Sequence, residues 1–589
     1  MVRRKIRPSP RTGKLVLASI GRSRSRWILL LLVIAALAAG IGLRDPSPPD
    51  EPRFALSART MIESGDWLVP HRGQELYAEK PPVFMWLQAA SYTLVRDWRV
   101  AFLLPSLLAA MATLWLTWDL ARRLWSPRAG WYAAAALWVC IQFGLQAKRG
   151  QIDMVLVALT TLSLWALIRH LLIQPSRPLL WLGAFAAGVG TVTKGVGFLP
   201  LLVLLPWFGL YVLKPTSLRS IPGQPWLEVI IAFLAGTAVW IGPLAVTLAL
   251  DPDPELVAYA RELLLKQTAT RYADAWHHVQ PWWYYLQVIA TLWLPGSLLL
   301  CWLLPAWIRR LRRADPRFVL LLSWAALVLL FFSMSPGKRE VYIFPALPAL
   351  CVAAASLLPA LLRKTGVQRV LLGYLVGLSA LLLLAGFFAV AGWSDWARDL
   401  ASEREIAPSD MRTVLFWVMG LGASGVGLVL AALSRRIRTG TAIVAFTGGL
   451  WIAYGLGFAP AIDASSSAQQ IMHKASRRLE PGAELGLIAW REQHLLQAQG
   501  PVTEFGFKRP WHEQWASATR WVAEPSTNRW LFVLDEAMSP CVDRSVSIEI
   551  GRSNRRDWWL VPGAAVRGDC VTPPLADASN GFPTPPQGG

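Results

Sequence analysis

Uncharged, apolar runs about 20 residues long recur along the whole chain, and no other feature restricts its fold as severely. A bilayer core about 30 Å thick is crossed by a helix of that length. Such runs stand at 27 to 43, 100 to 121, 129 to 145, 154 to 170, 179 to 193, 196 to 213, 227 to 250, 284 to 305, 318 to 335, 341 to 362, 370 to 392, 413 to 433 and 441 to 460. They predict an α-helical polytopic membrane protein with about thirteen transmembrane helices. Two of the runs, near Leu179 and Val196, are short and separated only by "TVTKG", which leaves twelve or fourteen open. With 54% hydrophobic residues in 589, the chain is too apolar for an ordinary soluble protein.

Basic loops resist translocation, so Lys and Arg mark the cytoplasmic ends of spans. Residues 1–26 are strongly basic and contain no acid, which predicts a cytoplasmic amino terminus. Alternation from there places "ARRLWSPR", "WIRRLRRADPR", "RKTGVQR" and "SRRIRT" inside and the acidic "WSDWARDLASEREIAPSD" outside. No nucleic-acid partner is expected despite the net charge of +21. A cleaved signal peptide is the rival reading of the first run, because "AALAAG" offers small residues to a peptidase. An anchor fits better, since the run is longer than a signal core and a loop follows at once.

The domain plan is therefore a basic N-terminus at 1–26, a transmembrane domain at 27–460 with a first outer loop at 44–99, a small α/β domain at 461–570 and a disordered tail at 571–589. Compact apolar runs "ELGLIAW", "RWLFVLD", "SVSIEI" and "DWWLV" supply the strands of the α/β domain, and "SSSAQQIMHKASRRLE" a helix. Cys140, Cys301 and Cys351 fall in spans, where small apolar packing is their simplest role. Cys541 and Cys570 share the outer domain, and a disulfide between them is left open.

The spans carry almost no acidic residue, only Asp119 and Glu228 near cytoplasmic ends, whereas ion-coupled transporters place charge along the pathway. The charge instead lies in outer loops, where a lipid headgroup meets water. In the first loop, "DEPRFALSARTMIESGDW" has Asp50 at an N-cap position, Pro52 in the first turn and Phe54, Ala58, Met61 and Ile62 on one face before Gly65. This predicts a helix lying along the interface. Its bland reading makes Asp50 a cap and Glu51 a first-turn acid suited to the helix dipole.

Taken together, the acidic pair after the first span, "ESGDWLVP", "LYAEKPPVFMWLQA", "RGQIDM", "TKG", "HHVQPWWYYL" and "SPGKREVYIFPALP" resemble the aminoarabinose lipid A transferase family. That family is related to the protein O-mannosyltransferases and shares their GT-C membrane fold. The resemblance runs from about Asp50 to Pro348 and extends in outline to a periplasmic C-terminal domain. The sequence departs from the family at Phe54, where tyrosine is common, and at Glu340, where an apolar residue is more frequent; both bear on the acceptor more than on the fold.

The resemblance implies transfer of a sugar from a polyprenyl-phosphate donor to a lipid or protein acceptor at the periplasmic face of a bacterial inner membrane. Asp50 is then the base that takes the acceptor proton, with Glu51 assisting it or holding the acceptor. Arg53, Lys80, Arg271 and Lys338 become ligands of the donor phosphate, and Tyr77 and Tyr342 its hydroxyl donors. Glu79, Asp153, His277, His278 and Arg339 complete the candidates. Each has a plainer reading. Lys80, Lys338 and Arg339 could be snorkelling to headgroups, Asp153 could cap a helix, and the histidines could belong to the aromatic belt. A divalent metal through Asp50 and Asp153 is left open, because hard cations want several oxygens and nothing forces one here.

The sequence thus points to a membrane glycosyltransferase. The rivals are a protein-glycosylating enzyme of the same fold, a transporter or lipid flippase, and a non-catalytic scaffold with an outer binding domain. The charge bias gives a direct test of topology: a reporter fused after Gly589 should be periplasmic and one fused near Arg312 cytoplasmic. The reverse result for either fusion contradicts this orientation.

Overall fold

The computed structural model describes residues 27–28, 30–213, 225–263, 279–392, 395–524, 528–568 and 570–574. Among them, seven helices are long and apolar enough to cross a bilayer: Trp98–Leu124, Ile152–Ile173, Trp226–Leu250, Pro316–Met334, Thr365–Val390, Pro408–Leu433 and Thr439–Ala461. An eighth candidate is the pair Tyr284–Leu292 and Gly296–Arg312, bent by 103°. Shorter apolar helices, Val83–Val95, Leu199–Leu213 and Ala346–Ala355, pack among them. The chain is a multi-pass membrane protein.

Hydropathy locates the spans but not their breaks. The run at 129 to 145 divides at Cys140, whose extended ψ of 125° ends the helix Pro127–Val139 before Ile141–Ala147 begins. The run at 284 to 305 is the bent pair, and the run at 341 to 362 forms a helix only from Ala346 before stopping at Ala355. Broken backbone at membrane depth is tolerated where protein covers it. Gln142 provides such cover: its buried amide accepts from Trp293 Nε1 at 2.6 Å and donates to the Glu340 carbonyl at 2.7 Å, tying three interrupted segments together.

The first loop also departs from expectation. Its helix, Glu51–Ser64, ends as the sequence indicates, with Gly65 at φ 77° and its N–H bonded to the Met61 carbonyl. It does not lie on lipid. Phe54, Ala58 and Met61 enter the core of the membrane bundle, Ala55 packs on Phe102 and Leu103, and Leu56 on the opposite side enters the core of the C-terminal domain. The helix is therefore clamped between the two. A short hairpin, β1 (His71–Arg72) with β2 (Glu75–Leu76), follows it.

The C-terminal sheet comprises β3 (Glu484–Ile488), β4 (Val502–Glu504), β5 (Arg529–Leu534), β6 (Ile548–Ser553) and β7 (Arg556–Pro562) in the order β4-β3-β5-β7-β6. β3 runs parallel to β4 and β5, whereas β7 is antiparallel to β5 and β6. Four of these strands lie on the apolar runs read from sequence; β4 has three residues, too few for an alternating pattern to register. Trp490, Trp515 and Trp558 fill the core, with Trp558 stacked on Phe532 at 4.7 Å.

Cys541 and Cys570 are joined by a disulfide across a sequence separation of 29. Closing a loop of that size should stabilise the domain by about 2 to 4 kcal/mol. Reduction, or Cys541→Ser with Cys570→Ser, should lower the melting temperature of the full-length protein; an unchanged melting curve would contradict this.

Candidate active site

The chain leaves the apolar run 27–43 through Arg44 and meets the loop at 148–151, where two neighbouring carboxylates stand. Glu51 is buried and accepts from Arg44 through both oxygens at 2.6 and 2.7 Å, from the Ser47 N–H at 2.9 Å and from the Gly150 N–H at 2.8 Å. Those bonds occupy its carboxylate. In this geometry Glu51 fastens the loop to Arg44 and Gly150.

Asp50 is different. Although it stands at the helix N-cap, its side chain makes no capping bond. Its Oδ2 accepts from Gln151 Nε2 at 3.1 Å and from an Arg339 nitrogen at 3.2 Å. Among the described residues no hydrogen bond reaches Oδ1, which faces Arg53 at 3.7 Å. The side chain is 16% exposed. Burial pushes its pKa up, but Arg339, Arg53 and Lys194 outweigh that and hold it below the ordinary value. A carboxylate kept ionised, with one oxygen unbonded and partly open, can accept a proton.

A chain of charges leads away from Asp50. Arg53 lies 3.8 Å from Glu79, and its Nε donates to Glu492 at 3.0 Å. Arg72 donates to Glu492 at 3.0 Å and to Glu79 at 3.4 Å, and its guanidinium stacks 4.0 Å from the Phe507 ring. Burial raises the Glu79 pKa, but Arg72, Arg53, Lys508 and Lys80 together hold it low. Lys80 is half-buried on this side. Tyr77 is fully buried beneath Arg72, and its hydroxyl has no hydrogen-bond partner among the described residues. Burial raises its pKa well above the usual tyrosine value.

On the other flank, Arg339 joins Asp50 to the segment 338–342. Asp153, in the first turn of the helix Ile152–Ile168, pairs with Lys194 at the end of Arg177–Lys194, and the Lys194 ammonium stands 5.2 Å from the Tyr342 ring. Gln151, not Asp153, is the N-cap residue. Lys338 is only 5% exposed, and its ammonium donates to the Gln280 carbonyl at 3.3 Å. Among the described residues it has no carboxylate partner. A buried cation without a counter-ion is costly, so this position favours an anion.

Asp50, Glu79, Glu492 and Asp153 are thus matched by Arg53, Arg72, Arg339 and Lys194, with Lys338 in excess. Asp50 and Asp153 are each paired with a basic side chain, and among the described residues no group of three or more His, Cys, Asp or Glu could hold a metal. Arg271, His277 and His278 lie outside the described residues. Sequence reading did not assign Lys194, Gln151, Arg72 or Glu492. The first two sit in the quoted "TKG" and "RGQIDM"; Glu492 has no local signal at all.

This constellation can be set against known proteins. The model of the dolichyl-phosphate-mannose-protein mannosyltransferases matches residues 79–242, and that of the Alg9-like mannosyltransferase family matches 273–396. An undecaprenyl phosphate-alpha-4-amino-4-deoxy-L-arabinose arabinosyl transferase of Pseudomonas fluorescens Pf0-1 is 30% identical over 423 residues, covering 65% of this chain and 68% of that protein. The chain belongs to this arabinosyl transferase family. A second such transferase, from Pseudomonas fluorescens Pf-5, is 31% identical over 64% of each chain. Across the first relatives the match spans less than two thirds of their own length, 64% and 58% in two cases. The crystal structure of ArnT from Cupriavidus metallidurans bound to undecaprenyl phosphate superposes with a TM-score of 0.69 at 21% identity, covering 93% of this chain and 98% of that one. It has the same fold.

Within the arabinosyl transferase fold, the two mannosyltransferase matches divide the site. The first includes Glu79, Lys80, Asp153 and Lys194, the second Lys338, Arg339 and Tyr342, while Asp50 precedes both. The split between fastening and reactive carboxylate is testable. Glu51→Gln leaves Arg44 buried without its counter-charge and should cost about 3 to 5 kcal/mol. Asp50→Asn should cost far less. Thermal unfolding of both variants in one detergent checks this, and equal shifts would contradict it.

Proposed function

We propose that the protein is an integral membrane glycosyltransferase that moves a sugar from an undecaprenyl-phosphate donor to a hydroxyl of an envelope acceptor of the lipid A type, at the periplasmic face of the inner membrane. The observation that carries this is the pairing of opposites in one site: among the described residues, a buried Lys338 ammonium without a carboxylate partner and an Asp50 carboxylate with one oxygen not hydrogen-bonded. The names of the two arabinosyl transferase relatives described above, which specify undecaprenyl phosphate and an aminoarabinose, support the choice of donor.

In this reading the acceptor oxygen attacks the anomeric carbon while Asp50 Oδ1 takes its proton. The bond from that carbon to the phosphate oxygen breaks, and its electron pair departs on undecaprenyl phosphate. The leaving group gains negative charge, which Lys338, with Lys80 and Arg271 from the other outer loops, is suited to stabilise. Attack and departure on opposite faces give inversion. Gln151 and Arg339 orient Asp50 through Oδ2, and Lys194 adds to the positive field without bonding to the base. Glu51 holds the loop and takes no part in proton transfer.

A protein acceptor is the second reading, favoured by the match of residues 79–242 to protein mannosyltransferases. One experiment separates the two. Purified parent and Asp50→Asn are supplied with an undecaprenyl-phosphate sugar and either lipid A or periplasmic protein, and undecaprenyl phosphate and modified acceptor are followed by mass spectrometry. Turnover by Asp50→Asn should fall by about 10² or more with donor binding retained, whereas Lys338→Met should weaken donor binding. Near-parental turnover by Asp50→Asn contradicts the base assignment; sugar found only on protein reassigns the acceptor.

A further inference from the structure

Glu492 opens the short helix Glu492–Gln497 of the C-terminal domain, 439 residues after Arg53 in sequence. Its side chain is 5% exposed, and one oxygen, Oε1, accepts from both Arg53 Nε and Arg72 Nη1 at 3.0 Å. Burial of a carboxylate is offset only by good partners. Burial raises its pKa, and Arg53 and Arg72 more than reverse this. A simple inter-domain clasp would account for that much.

The position of Arg53 asks for more. Its Nη1 lies 3.7 Å from Asp50 Oδ1 and 3.8 Å from Glu79, within ion-pair range of both but beyond a hydrogen bond to either. Glu492 grips the guanidinium by Nε, at the root of the planar fork, so the reach of that fork toward Asp50 is set from the C-terminal domain. A movement of about 0.8 Å would bring Nη1 to the usual 2.9 Å from Oδ1 and close it. With the Glu492 charge removed, Asp50 and Glu79 are the anions left to draw Arg53 inward.

We propose that Glu492 is a positioning residue of the active site: it restrains Arg53 so that Asp50 Oδ1 feels positive charge without being hydrogen-bonded, and stays free to accept a proton. The C-terminal domain is then part of the catalytic apparatus. This rests on Asp50 as the base.

The test uses full-length Glu492→Gln, Glu492→Asp, Arg53→Met and the double variant Arg53→Met/Glu492→Gln. Glu492→Gln should lower kcat about tenfold or more with donor KM within about threefold, and Glu492→Asp, which keeps the charge, should recover most of the loss. Because the damage in Glu492→Gln is done by Arg53, the double variant should be no slower than Arg53→Met alone. Turnover by Glu492→Gln within about twofold of the parent, or losses that multiply in the double variant, overturns the proposal.

A second readout does not depend on turnover. The rate at which a water-soluble carbodiimide labels Asp50, located by peptide mass spectrometry, should fall in Glu492→Gln and recover in the double variant. Equal labelling of Asp50 in parent and Glu492→Gln overturns the positioning role even in an active enzyme. No transfer by the parent, with the labelling difference intact, sinks the transferase reading and leaves the positioning role standing. Should Glu492→Gln fail to insert, Arg53→Lys, which keeps a charge but loses the Nε contact, is read by the same two measurements with the same expected losses.

Discussion

The buried pair of Arg44 with Glu51 is the contact on which the rest of the site depends. Arg44 donates to both Glu51 oxygens and to the Lys148 carbonyl at 3.0 Å, while Glu51 also receives the Gly150 N–H. Two backbone segments about a hundred residues apart are joined face to face. Asp50 and Gln151, the residues next to the joint on either side, are brought into contact as a result. A second set of bonds secures the same loop: Asp45 pairs with Arg99 at 3.0 Å, and its N–H donates to Asp463 at 3.0 Å. The loop leaving the first span is therefore fixed from the membrane bundle and from the start of the C-terminal segment at once.

That rigidity explains how so many charges sit close together without neutralising the reactive one. Burial penalises each charge separately, so a cluster of this kind needs partners whose positions are imposed. Arg339 and Gln151 approach Asp50 on one oxygen, and Glu492 and Glu79 occupy the arginine nearest the other. Tyr77 is fully buried, and its hydroxyl has no hydrogen-bond partner among the described residues.

Much of this was legible in the sequence, for reasons that can be stated residue by residue. Long apolar runs announce membrane helices, and Pro52 and Gly65 announce the ends of Glu51–Ser64, because these signals are local. Asp50, Lys338 and Arg339 stood out because they lie in the segments that resemble the aminoarabinose lipid A transferase family. The break at Cys140 was not legible, since the residues on either side of it are apolar and the turn is imposed by packing, whereas the 103° bend near Trp293 coincides with Pro295 and Gly296, a turn signal that the apolar run around it masked. The helix expected to rest on lipid proved to be clamped because Leu56, on its supposed polar side, meets the C-terminal core. Lys194 was quoted in its motif and passed over, as its partner Asp153 lies on another helix. Glu492 could not be found locally, because its meaning lies wholly in two arginines of the first loop.

The distance along the chain between those arginines and Glu492 has a bearing on how the protein is made. Translation at about 5 to 20 residues per second separates the synthesis of Arg53 from that of Glu492 by roughly 20 to 90 s. For that interval Arg53 and Arg72 exist without the carboxylate that later fixes them. A nascent or truncated chain, however well its helices have inserted, carries an unfinished site at the membrane surface. Until the segment around Glu492 has been made and folded, Arg53 has Asp50 and Glu79 as its neighbouring anions, and the geometry around Asp50 is not yet the final one.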